Sequence, residues 1–106
     1  IHMHPLTDLL KIIYDTGTSK SLGLLVMVNC NGHNSIYDIA KYIDIPTHCL
    51  RDTGVSLATR NGWIHNTGNL KPTGLRGSSS SSVYELTRKG IRLYTKLIEA
   101  HERSTN

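Results

Sequence analysis

Between Ser35 and Ile64 the apolar positions follow a helical period, stop at a proline, and resume at the same period. They end in an aromatic and aliphatic pair, giving SIYDIAKYIDIPTHCLRDTGVSLATRNGWI. Ile36, Ile39, Ala40 and Ile43 share one face of a predicted helix. Ser35-x-x-Asp38 supplies its start, with the hydroxyl capping and the carboxylate close to the positive helix end. Asp44-Ile45-Pro46 ends it, because a proline disfavours helical geometry at the residue before it. Thr47 is expected to cap a second helix with Leu50, Gly54, Leu57 and Ala58 inward. Asn61-Gly62 closes that helix with a residue free to take positive φ, and Trp63-Ile64 begins a strand.

The flanking segments read less sharply. Pro5 to Tyr14 is an amphipathic helix with Leu6, Leu9, Leu10 and Ile13 on one side. Lys20 to Cys30 contains LGLLVMV, whose unbroken apolar run does not separate strand from helix. Its place before the Ser35 helix favours a buried helix ended by Asn31-Gly32. After Trp63 a hairpin is expected: Trp63 to Thr67, a polar tip from Gly68 to Ser82, and a returning strand from Val83 to Leu86. Ser78 to Ser82 is a run of five serines with no apolar anchor, so mobility is expected there. Thr87 caps a last helix, Arg88 to about Arg103, apolar at Ile91, Leu93, Tyr94, Leu97 and Ile98. That stripe is broader than a small monomer requires.

Composition narrows the reading. A chain of 106 residues makes one domain, taken as residues 4–106. Such a domain buries only about two-thirds of its unfolded surface. With 38% hydrophobic residues, no Phe and one Trp, its core is modest, and a dimer interface would help complete it. The net charge of +4 suits a polyanionic partner. Cys30 and Cys49 form no disulfide framework, which makes a reducing cytoplasm the default. No apolar run reaches the roughly 18 residues of a membrane span. Ile1-His2-Met3 reads as a cloning remnant before a start at Met3.

Taken in order, I-x-D-I-A, the Ile-Pro turn, the second helix, G-W-I and then Y-E-L-T-x-K-G resemble the winged-helix transcriptional regulators of the MarR and PadR type, over residues 20 to 100. The resemblance implies an α+β fold, mostly α. It would hold a helix-turn-helix at 35–61, a two-stranded wing at 63–87 and a C-terminal helix at 88–103, with dimerisation through the first and last helices. Leu6, Leu9, Leu10 and Ile13, with Tyr94, Leu97 and Ile98, are the residues expected at that interface. One departure stands out. The MarR-type wing carries an acidic residue and an arginine at its tip, whereas this chain has Gly68-Asn69-Leu70-Lys71-Pro72 and the serine run. The resemblance therefore carries no inference about a small-molecule effector, for or against.

The second helix of such a motif offers side chains to a major groove. On an ideal wheel its outward face holds His48, Asp52, Val55, Ser56 and Thr59, flanked by Cys49, Arg51 and Arg60, with Thr47 at its start. Arg reads guanine, hydroxyls read several bases, an acid reads cytosine and an apolar group meets the thymine methyl. Asp52 would repel phosphates unless it orients Arg51 or His48 or accepts from a cytosine. Ser35, Tyr37 and Lys41 would face the backbone crossed by the first helix, and Lys71 and Arg76 flank the wing tip. The plain alternative for each is an ordinary solvated side chain.

Other chemistry finds little footing. Cys30-x-x-His33 with His48-Cys49 offers four soft zinc ligands. Adjacent His48 and Cys49, however, point about 100° apart on a helix, so no metal and no cofactor is expected. Cys49 beside His48 at a helix start could have a lowered pKa, although an inert thiol is the simpler account. No nucleophile elbow, phosphate-cradling glycine loop or framed carboxylate pair suggests an enzyme. The expected function is sequence-specific binding of double-stranded DNA by a homodimer, a cytoplasmic, nucleoid-associated repressor. Two alternatives stand beside it: a plasmid or phage partition adaptor on repeated sites, and a winged-helix protein-interaction module with a partner protein.

Overall fold

The computed structural model describes residues 5–75 and 79–105, Thr105 by its backbone alone; the expected remnant at residues 1–3, together with His4, Arg76, Gly77, Ser78 and Asn106, lies outside them. The architecture is α+β and mostly helical. The centre of the core is α2 (Ser21–Asn29), where Leu22, Leu25, Val26, Met27 and Val28 are all buried. A helix covered on every side has no polar face, which is why its sequence shows no period. On one side it meets α1 (Pro5–Asp15) through Leu6 and Leu10, 4% and 6% exposed. Those two residues, expected at a dimer interface, therefore belong to the protein's own core. Leu9, Ile12 and Ile13 of the same helix remain exposed.

The next helix, α3 (Ile36–Ile43), starts as its sequence implies. Asp38 N–H donates to Ser35 Oγ at 3.2 Å and Ser35 N–H donates to Asp38 Oδ2 at 3.2 Å, a reciprocal capping box. Its exit is made by Asp44 in the left-handed region, φ 57°, a conformation that Asp tolerates better than bulkier residues.

The helix after Pro46 departs from the expected wheel. Helix α4 (Thr47–Cys49) runs without a break into a π-helical stretch (Leu50–Val55) and then α5 (Ser56–Arg60). Thr47 is not its cap: Pro46 holds that position, and Thr47 is already helical. Each i→i+5 bond adds a residue to a turn and rotates the side chains beyond it. Val55, expected outside, is thereby turned into the core at 7% exposure, beside Leu50, Gly54 and Ala58. Two glycines let α2 and this helix approach closely. A Cβ on Gly54 would lie 2.8 Å from Val26 Cγ2 and 3.1 Å from the Leu22 carbonyl oxygen, and one on Gly23 would lie 3.1 Å from Leu57 Cβ.

The hairpin is longer than its hydrophobic pattern implies. Strand β1 (Ile64–Pro72) pairs antiparallel with β2 (Ser80–Leu86), from Ile64 opposite Leu86 to Pro72 opposite Ser80. Gly68, expected to open the tip, instead sits in a bulge between the Asn66–Tyr84 and Leu70–Ser82 pairs. There the Thr67 hydroxyl donates to the Val83 carbonyl at 2.8 Å, and Gly68 takes φ 84°. Ser80, Ser81 and Ser82, expected in a mobile tip, are ladder residues. Ser79 closes the turn, its carbonyl accepting from Thr73 N–H at 3.1 Å; Ser78 falls outside the described residues. Backbone pairing supplies the anchor that no apolar side chain of the run provides. A bridge between Ser35 and Val83 fastens β2 to the chain just ahead of α3.

The last helix, α6 (Arg88–Thr105), begins at Thr87. Thr87 Oγ1 accepts from Gly90 N–H at 3.0 Å, and its hydroxyl donates to the Gly62 carbonyl. In this same first turn Gly90 packs against the backbone of Trp63. Leu93, Tyr94, Leu97 and Ile98 are half-buried against the core, while Ile91 is exposed. At 18 residues, α6 rises about 27 Å. Among the described residues no helix is long and apolar enough to cross a membrane.

Candidate nucleic-acid interface

A cleft of about 440 Å³ separates the Thr47–Arg60 helix from the hairpin. Ile36, Tyr37, Thr47, Arg51 and Val55 line one side, and Thr73, Leu75, Ser79 to Ser82 and Tyr84 line the other. The two walls are tied together at the start of α3. Tyr37 N–H donates to Ser81 Oγ at 3.0 Å, and Lys71 Nζ donates to Asp38 Oδ2 at 2.8 Å. A second hollow, lined by Asn34, Asp38, Lys41, Tyr42 and Lys71, continues the surface past this ion pair.

The residues expected to contact DNA divide by position. His48, Arg51, Asp52, Ser56 and Thr59 are exposed on the helix, and Thr47 and Cys49 are partly so. Lys41 is exposed and Tyr37 half-buried on α3. Ser35 leaves the set, because it is 1% exposed and its hydroxyl is committed to the cap. Arg60 stands apart from the cleft, in a separate hollow with Lys20, Leu57, Asn61 and Trp63. Arg76 lies outside the described residues.

The charges on this surface are mostly paired. Arg51 Nε donates to Asp52 Oδ1 at 3.0 Å, so Asp52 orients the arginine, one of the roles open to it. His65 Nε2 lies 2.8 Å from Glu85 Oε1 across the strands. Burial works against ionisation of Asp38, but the Lys71 ammonium and two hydrogen bonds at Ser35 outweigh it, so its carboxyl is held below its ordinary range. The outer parts of the cleft are consequently rich in hydroxyls rather than in net positive charge.

No family model matches this chain, and no curated protein or solved structure matches it either.

The cysteines lie away from this chemistry or are only partly exposed to it. Burial, reinforced by the nearby Glu85 charge and opposed by a hydrogen bond from Gly32, pushes the Cys30 thiol up to about 12. Cys49 is a free, half-buried thiol on the helix. Among the described residues no group of three or more His, Cys, Asp or Glu side chains is placed to hold a metal ion. Sequence reasoning missed the cleft residues Thr73, Leu75, Ser79 and Tyr84 and the anchoring role of Ser81. The serine run was visible, but its composition resembles a linker, and pairing with Leu70 to Pro72 is a long-range fact.

Proposed function

We propose that this chain is a winged helix-turn-helix protein that binds double-stranded DNA as a homodimer and regulates transcription. One observation carries the reading: the Thr47–Arg60 helix, through Thr47, Arg51 and Val55, and the hairpin border a common cleft, held in register by Ser81 and the Lys71–Asp38 pair. In this reading His48, Arg51, Ser56 and Thr59 face base edges, while Lys41, Lys71 and the strand hydroxyls meet the DNA backbone. Neutral hydroxyls donate to phosphate oxygens without releasing many counterions, so binding should depend on salt less steeply than in a lysine-rich reader. The exposed Leu9, Ile12 and Ile13 on α1 and Ile91 on α6 supply apolar surface for a second copy.

Selection of a preferred site from random duplexes, followed by anisotropy titration at two salt concentrations, tests the reading. The expected result is a preferred duplex that resists excess scrambled competitor. Absence of duplex binding even at low salt would transfer the surface to the protein-interaction reading.

A further inference from the structure

At the C-terminal end of the Thr47–Arg60 helix, about 13 Å of helix rise from Arg51, lies a cavity of about 370 Å³ formed by Lys20, Leu57, Arg60, Asn61 and Trp63. Its floor is rigid. Trp63 N–H donates to the Ala58 carbonyl at 2.9 Å, its own carbonyl accepts from Thr87 N–H at 3.0 Å, and its indole packs beside Gly23. Asn61 Nδ2 donates to the Leu57 carbonyl at 2.8 Å, which leaves its Oδ1 to accept from a ligand. Lys20 and Arg60 are both exposed. Among the described residues neither cation has an ion-pair partner, and no acidic side chain lines the cavity. This contrasts with the hairpin side, where Arg51 and Lys71 are both paired.

We propose that this cavity binds a mononucleotide, with the base on Trp63 and the phosphate between Lys20 and Arg60. A fixed indole face stacks any nucleobase, because every base has a π-face. Unpaired ammonium and guanidinium groups recognise phosphate through charge-assisted hydrogen bonds. The volume lies near the lower end of small-molecule sites, roughly 300–1,000 Å³, and suits a compact ligand better than a protein surface. Asn61 then accepts from an exocyclic amine of the base. The site is separate from the proposed DNA-reading cleft and does not depend on it.

Trp63 is the sole tryptophan and lines this cavity, so its fluorescence in the intact protein is a direct probe of the site. Titration with AMP should give a saturable change. Adenosine and inorganic phosphate, each lacking half of the ligand, should bind at least about tenfold more weakly. Arg60→Ala and Lys20→Ala should each weaken AMP by a similar factor, whereas Lys71→Ala should leave it unchanged. Both cations are exposed, so their truncation leaves the core intact. No response to millimolar AMP (an order-of-magnitude choice of roughly the weakest affinity worth counting) overturns the proposal. Equal binding of adenosine or of phosphate, or indifference to both variants, does the same. If AMP is silent while duplex DNA shifts Trp63 in an Arg60-dependent way, Arg60 belongs to the DNA contact and the nucleotide site falls. If AMP binds and no duplex does, the nucleotide site stands and the DNA reading falls.

Discussion

Lys71 Nζ lies 2.8 Å from Asp38 Oδ2, and through this contact the first strand of the hairpin is latched to the first turn of α3. Asp38 Oδ2 also accepts from Ser35 N–H, so one carboxylate serves the helix cap and the latch together. Its folded pKa is lowered from 3.8. A carboxyl with a depressed folded pKa contributes stability that is present above its unfolded value and lost as pH falls through the folded value. Stability should therefore drop below about pH 4, and Asp38→Asn should show a smaller drop over that range. Denaturant midpoints of both proteins from neutral to acidic pH check this. An identical loss in the variant would place the acid sensitivity elsewhere. Because the pair is partly exposed, Lys71→Ala should cost under about 1 kcal/mol at neutral pH.

Gly90 is in tighter contact than any other glycine described. A Cβ there would stand 2.0 Å from the Trp63 carbonyl oxygen. On propensity alone Gly90→Ala should stabilise α6 by about 1 kcal/mol. The clash is with backbone, which is itself held by Thr87 N–H, so the steric term should win. Expected is a net loss of roughly 1–3 kcal/mol by denaturant unfolding. A gain in stability would mean that α6 starts elsewhere.

The π-helical phase makes a prediction that separates Val55 from Ser56. Val55→Ala removes buried methyls and should cost on the order of 1–2 kcal/mol of stability. Ser56→Ala and His48→Ala lie on the exposed face and should change stability by less than about 0.5 kcal/mol. On a preferred duplex, either exposed change should weaken binding by about 1–3 kcal/mol, with little effect on scrambled DNA. Thermal melts and paired titrations read the two effects independently. A neutral Val55→Ala would restore the ideal helical wheel.

Self-association should depend on the outer face of α1 rather than its inner face. Leu9 is 50% and Ile12 63% exposed, whereas Leu10 is in the core. Sedimentation at about tens of micromolar should show a dimer for the wild type. Leu9→Ser with Ile12→Ser should give a folded monomer, and Leu10→Ala a protein that melts early, by about 2–5 kcal/mol of lost stability. A wild-type monomer at that concentration removes the dimer.

The sequence alone determined the local events of this fold. Ser35-x-x-Asp38 specified the start of α3, Asn61-Gly62 the end of the next helix, and Thr87 the start of α6, because caps and turns are contacts among residues close in the chain. Periodicity likewise exposed the inner face of α3 and separated His48 and Ser56 from Leu50 and Ala58. Tertiary structure decided what depends on distant partners. It turned Val55 inward by changing the pitch of its helix, drew Ser80 to Ser82 into a strand opposite Leu70 to Pro72, gave Lys71 to Asp38, and set Arg60 beside Lys20 and Trp63. Each is a long-range juxtaposition whose stability is shared between two segments, so neither segment carries its pattern alone.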